Sequence, residues 1–147
     1  MSPYLVRDFM TTSVTTLSDG AKLLDAALLL RRTGKRHLPI LSEEGRIVGI
    51  LSDRDLRLLT PSVLAPVTLE EQNRIFQETP ITAAMTRNPV CVLPDATVEQ
   101  AIELMQAKKI QCVLVEDKGK LCGIFTVTDV MNVAQKLLTQ KTSSGVA

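Results

Sequence analysis

Two short stretches place a hydroxyl three residues ahead of a carboxylate: Ser52-x-x-Asp55 and Thr126-x-x-Asp129. Two chemistries suit that spacing. In a capping box the side chains only satisfy backbone amides where a helix begins. Alternatively, the free N–H groups and partial positive charge of a helix N-terminus meet a phosphate, while the carboxylate accepts both hydroxyls of a ribose. Arg54 lies inside the first stretch, and Arg31, Arg32, Lys35 and Arg36 precede it, followed by the sole histidine, His37. Cations that end a helix suit its dipole whether or not a ligand binds, so Arg36 reads equally as a cap or a phosphate contact. His37 reads as a strand-edge side chain or an anion contact.

Other chemistries find little support. A nucleophile needs a base within hydrogen-bond reach, and one histidine far in sequence from Cys91, Cys112 and Cys122 offers no evident pair. With no second histidine and no CxxC, no metal site is expected. There is no P-loop and no GxGxxG, and the two aspartates lack the partner carboxylate of acid–base hydrolysis. The cysteines sit in apolar runs and read as core. No catalytic residue is expected, and the chain reads as a non-enzyme.

The elements that must position these residues occur twice. Gly49-Ile-Leu-Ser-Asp-Arg-Asp55 returns as Gly123-Ile-Phe-Thr-Val-Thr-Asp129, 74 positions on. In the first copy a helix is expected over Leu24–Thr33, strands over His37–Leu41 and Arg46–Leu51, a turn at Ser42–Gly45 between them, and a helix from Asp53. In the second a helix spans Val98–Lys108, with Thr97 and Gln100 at capping-box spacing. Strands Cys112–Val115 and Lys120–Phe125 flank a turn at Glu116–Gly119, and a last helix runs to about Leu138.

At the same offset Ala27, Leu30 and Lys35 meet Ala101, Leu104 and Lys109, whereas Asp19 meets Asp95 at 76. Two extra residues are therefore expected between Gly20 and Ala27. The repeats are placed at 1–59 and 80–138, with a connector at 60–79 and a fraying tail at 139–147. The connector, Thr60-Pro-Ser-Val-Leu-Ala-Pro-Val67, leads into a capping box at Thr68–Glu71 and a short helix ending near Pro80.

Repeats of about fifty residues are near the lower limit for burying a core alone, so the two should fold against each other. Leu28, Leu29 and Leu30, and Val130, Met131, Val133, Ala134, Leu137 and Leu138, cover more than one helical stripe. A homodimer is the reading taken; burial between repeats of one chain is the alternative. A formal net charge of +1 supplies no field for nucleic acid or acidic membrane. No apolar run reaches membrane-spanning length and the N-terminus has no signal pattern, so a cytoplasmic location is expected.

The duplicated Gly-aliphatic-aliphatic-Ser/Thr-x-x-Asp, the opening segments Val6-Arg-Asp-Phe-Met10-Thr and Ile81-Thr-Ala-Ala-Met85-Thr, and Arg36-His-Leu-Pro39-Ile resemble the cystathionine-β-synthase (CBS) domain family. The connector is similar to that of small stand-alone bacterial CBS proteins related to acetoin-utilisation regulators. The resemblance implies an α/β fold of tandem strand-helix-strand-strand-helix repeats, packed about a pseudo-twofold axis that leaves two clefts for adenine nucleotides. It places Asp55 and Asp129 on ribose hydroxyls, and Ser52, Arg54, Thr126, Thr128, Arg36 and His37 near phosphates. The adenine slots fall at Val14, Ile81, Thr82, Pro89 and Val90.

The function so implied is a regulatory module that binds AMP, ADP or ATP, with no obligatory cofactor, and reports to a partner protein of unknown identity. Two alternatives stand beside it: a ligand-independent dimerisation scaffold whose boxes are only caps, and a sensor of S-adenosylmethionine or a cyclic dinucleotide. Arg36 and His37 are set against the neutral Ile110 and Gln111 of the second repeat, so unequal sites are expected.

Overall fold

The computed structural model describes residues 4–59 and 68–145, so the expected proline-bearing connector at 60–67 lies outside the described residues. The chain forms two compact α/β units whose limits cut across the repeats. One is Thr15–Pro89; the other joins the residues before Thr15 to those from Val90 onward. The opening segment of each repeat thus completes the unit built mainly from the other.

In the Thr15–Pro89 unit, β1 (Leu17–Ser18) leads to α1 (Leu23–Thr33), the hairpin β2 (His37–Leu41) and β3 (Ile47–Ser52), and then α2 (Asp53–Leu59). After α3 (Leu69–Glu78), a 3-10 turn (Ile81–Ala83) and β4 (Thr86–Arg87) close the unit. The sheet order is β1-β2-β3-β4, with β1 parallel to β2 and the other pairs antiparallel. The strand residues Leu38, Ile40 and Leu51 bury with Leu23, Ala26 and Leu30 of α1, a helical i, i+3, i+7 face. Ile81 and Met85, from the start of the second repeat, fill the same core. As expected, Thr68 Oγ1 caps α3, accepting from the Glu71 N–H at 3.1 Å.

The other unit starts with a 3-10 turn (Val6–Asp8), followed by β5 (Cys91–Val92), α4 (Val98–Lys108), the hairpin β6 (Cys112–Asp117) and β7 (Lys120–Thr126), and α5 (Val127–Gly145). β6 lies between β5 and β7, and Thr11 extends the sheet by exchanging two backbone bonds with Ile124, at 2.9 and 3.0 Å. Val6, Val98, Ala101, Met105, Val113, Val115, Phe125 and Val133 make the core. The expected box at α4 forms in both directions, Thr97 N–H to Gln100 Oε1 at 2.9 Å and Gln100 N–H to Thr97 Oγ1 at 3.1 Å.

Three expectations change. The buried faces Leu23, Ala26, Leu30 and Val98, Ala101, Met105 match at an offset of 75, not 74, and so do Val6 and Ile81. The registers agree: Ile40 faces Gly49 and Val115 faces Gly123. The extra residue of the first repeat lies in its hairpin turn, and not between Gly20 and Ala27. The second hairpin turns tightly through Lys118 (φ 53°) and Gly119 (φ 81°), the left-handed pair of a two-residue turn, where the first uses the longer loop ending at Gly45. Identity at offset 74 within the helices was coincidence, since it sets the half-buried Ala27 against the buried Ala101 and the buried Leu30 against the half-buried Leu104; burial fixes the true register. Finally, α5 continues to Gly145 beyond the end of its apolar period at Leu138. Backbone hydrogen bonding propagates a helix without an apolar stripe once it is nucleated, and Tyr4 Oη donates to Gln140 Oε1 at 2.8 Å on the way.

Candidate functional site

At the end of β3 the chain turns directly into α2. The Ser52 N–H donates to Asp55 Oδ2 at 2.8 Å and the Asp55 N–H to Ser52 Oγ at 3.1 Å. The reciprocal cap therefore exists, yet it consumes only one carboxylate oxygen: Oδ1 of the half-buried Asp55 receives no hydrogen bond from the described residues. The same cap that starts the helix leaves an acceptor over. Capping and ribose binding are compatible at this turn.

The start of β2 lies beside it. His37 pairs with Ser52 across the hairpin, and the Asp53 N–H donates to the Arg36 carbonyl at 2.9 Å. Arg36, His37, Ser52, Arg54 and Asp55 thus gather at one end of the sheet. Arg36 and Arg54 are exposed. Burial lowers the pKa of His37, an effect opposed by the Asp53 charge, reinforced by Arg36 and opposed again by Asp55. The exposed Asp53–Arg57 ion pair, 3.8 Å apart, contributes little.

The equivalent turn in the other unit differs in detail. The Thr126 N–H donates to Asp129 Oδ2 at 2.8 Å, the Thr126 hydroxyl reaches the same oxygen at 3.3 Å, and the Thr11 hydroxyl lies 3.3 Å from Oδ1. Asp129 is only 4% exposed, the one buried charged side chain among the described residues. Thr128 is exposed. The Val127 N–H donates to the Gln111 carbonyl at 3.1 Å, as Asp53 does to Arg36. The counterparts of Arg36 and His37 are therefore Gln111 and Cys112, which corrects the pairing with Ile110 and Gln111. Burial pushes the Cys112 thiol up to about 12, so this position supplies no charge.

The expected adenine-slot residues divide between the units. Val14 and Val90 belong with Asp129; Ile81, Thr82 and Pro89 belong with Asp55. The Ile81 side chain is fully buried, its N–H donates to Ala21 at 2.9 Å, and its carbonyl accepts from Ala84 and Met85. Val90 accepts from the Leu114 N–H at 2.9 Å. Val14, Thr82, Pro89 and Val90 are half-buried.

The sequence reading missed two structural roles. A Cβ on Gly49 would stand 2.5 Å from Met85 Sδ and 3.0 Å from the Thr86 carbonyl; on Gly123 it would stand 2.7 Å from Met10 Sδ and 2.9 Å from the Thr11 carbonyl. Each motif glycine is thus the point where the other repeat's Met-Thr segment crosses. The other omission is Thr11, whose signal was the paired Met10-Thr11 and Met85-Thr86 at the ends of the opening segments.

Two such crossed hairpins, each with a hydroxyl and carboxylate at its strand-to-helix turn, match the CBS domain model twice, over residues 6–60 and 81–136. The chain belongs to the CBS domain family. As a CBS pair it is similar to solved structures over most of its length. AcuB of Vibrio cholerae, named for acetoin utilization, has a TM-score of 0.77 at 30% identity, covering 97% of this chain and 98% of that one. The CBS pair of protein MJ0100, in complex with 5′-methylthioadenosine and S-adenosyl-L-methionine, has 0.76 at 26%, covering 92% and 98%. CBSX2 in complex with AMP has 0.74 at 29%, covering 91% and 98%. Among the described residues no cluster of His, Cys, Asp or Glu could hold a metal, and no helix is long and apolar enough to cross a membrane.

Proposed function

We propose that this CBS pair is a regulatory module that binds an adenine nucleotide, AMP, ADP or ATP, at its strand-to-helix turns and signals occupancy to a partner protein. The observation that carries the reading is Asp55: its carboxylate is anchored through Oδ2 by the Ser52 amide, its Oδ1 receives no hydrogen bond from the described residues, and Arg36, His37 and Arg54 belong to the same end of the sheet. An oriented acceptor next to cations suits a ribose bearing phosphate. The AMP complex of CBSX2 supports the same ligand class. Nucleotide at a hundred times its dissociation constant should add about 2.7 kcal/mol to stability. A thermal melt unmoved by millimolar AMP, ADP and ATP would leave the ligand-independent scaffold as the better account.

A second reading, a sensor of S-adenosylmethionine, draws on the MJ0100 complex. It shares the adenosine but has no phosphate for Arg36 and Arg54, so the same melts distinguish it by a response to S-adenosylmethionine alone.

We further propose a homodimer. Val127, Met131 and Leu138, spaced i, i+4 and i+11 on α5, are 46%, 64% and 65% exposed, and Leu28 of α1 is 56% exposed. Covering such a stripe removes apolar surface from water. Light scattering at micromolar concentration should give twice the mass of one chain; a monomer would remove dimer rearrangement as the route of signalling.

A further inference from the structure

Thr11 and Thr86 hold equivalent places, each adding to the outer strand of a hairpin, Thr11 opposite Ile124 and Thr86 opposite Ile50. Only Thr11 turns its hydroxyl onto the carboxylate of its unit, 3.3 Å from Asp129 Oδ1. Thr86 is exposed, and Asp55 Oδ1 receives no hydrogen bond from the described residues. Since Thr126 already occupies Oδ2, both oxygens of Asp129 are engaged. A carboxylate oxygen can accept more than one hydrogen bond. At 4% exposure, however, Asp129 has almost no open surface on which an incoming hydroxyl could join the one present.

We propose that the Thr11 hydroxyl is a resident competitor for the Asp129 carboxylate, so that the second turn binds a ribose more weakly than the first and only as Thr11 lets go. The inference rests on the nucleotide reading above. The exchange is one hydroxyl donor for another and leaves the carboxylate charge unchanged. It needs no backbone movement, because two bonds to Ile124 hold the Thr11 main chain while rotation about χ1 carries the hydroxyl away. At 3.3 Å the contact is longer than the usual 2.5–2.7 Å of a hydroxyl on a carboxylate, so it is displaceable. Thr11 is in this account a positioning residue that sets the ratio of the two affinities.

Calorimetry with AMP and with ATP tests this on the wild type, Thr11→Val, Thr11→Ser and Thr86→Val. Thr11→Val should tighten the weaker event about tenfold, or create a second event if the wild type has one, and leave the stronger event alone. Thr11→Ser, which restores the hydroxyl, should return the wild-type ratio, and Thr86→Val should change neither event. If the valine disturbs the strand, Thr11→Ala carries the same expectation. A weaker event that is unchanged or lost in both Val and Ala variants, with the stronger event intact, overturns this proposal alone. The absence of nucleotide binding in the wild type and every variant overturns it together with the nucleotide reading.

Discussion

The Asp53 backbone N–H donates to the carbonyl of Arg36 at 2.9 Å, tying the first residue of α2 to the residue that brings a cation to the turn. The matching bond, Val127 to Gln111, holds a neutral amide in the same place. The backbone connection is common to both units, and only the side chain decides the local charge.

Arg36→Gln therefore gives the first turn the residue that stands at Gln111 in the second. It should weaken the tighter nucleotide event about tenfold, the cost of one charge-assisted contact. Stability should stay within about 0.5 kcal/mol, since the side chain is exposed. Titration calorimetry and a melt of the same sample check both parts; equal affinities for variant and wild type would remove Arg36 from the site.

Gly49→Ala and Gly123→Ala should each destabilise the protein by about 1–3 kcal/mol, the usual cost of overpacking. The methionine sulfurs can swing aside. The Thr86 and Thr11 carbonyls, at 3.0 and 2.9 Å from the added Cβ, belong to paired backbone and cannot do so freely. Urea unfolding would measure the loss; an unchanged midpoint would show that the crossing segments move away cheaply.

The sequence made the core hairpins legible because alternation and turn residues mark them locally: His37–Leu41 forms as expected, and Val98–Lys108 is capped by Thr97 and Gln100. It did not reveal the exchange of opening segments, since Val6 and Ile81 look alike and either could serve either core. The register error had a related cause. Matching letters such as Lys35 and Lys109 carry no burial information, whereas Leu30 and Met105 are equivalent by packing despite different names. The two aspartates were legible as a pair, and unequal surroundings were legible from Arg36 and His37, but the contact of Thr11 with Asp129 was not, because the two residues stand 118 positions apart in the chain.

His37 supplies a pH dependence. Burial holds its folded pKa below 6.5, so in the window between the folded and unfolded values the unfolded chain binds more protons. Stability from this group is complete above the unfolded pKa and falls as pH drops below about 6.5. His37→Gln should flatten that part of a stability-versus-pH curve; an identical slope in the variant would assign the dependence to other groups.

Asp55 tests the central claim most directly. Asp55→Asn keeps an acceptor for the Ser52 amide while removing the charge, so the helix start survives and only the ribose contact suffers. Calorimetry with AMP or ATP should show the tighter event lost in Asp55→Asn and retained in Asp129→Asn. An undiminished tighter event in Asp55→Asn, in protein that melts like the wild type, would contradict the account.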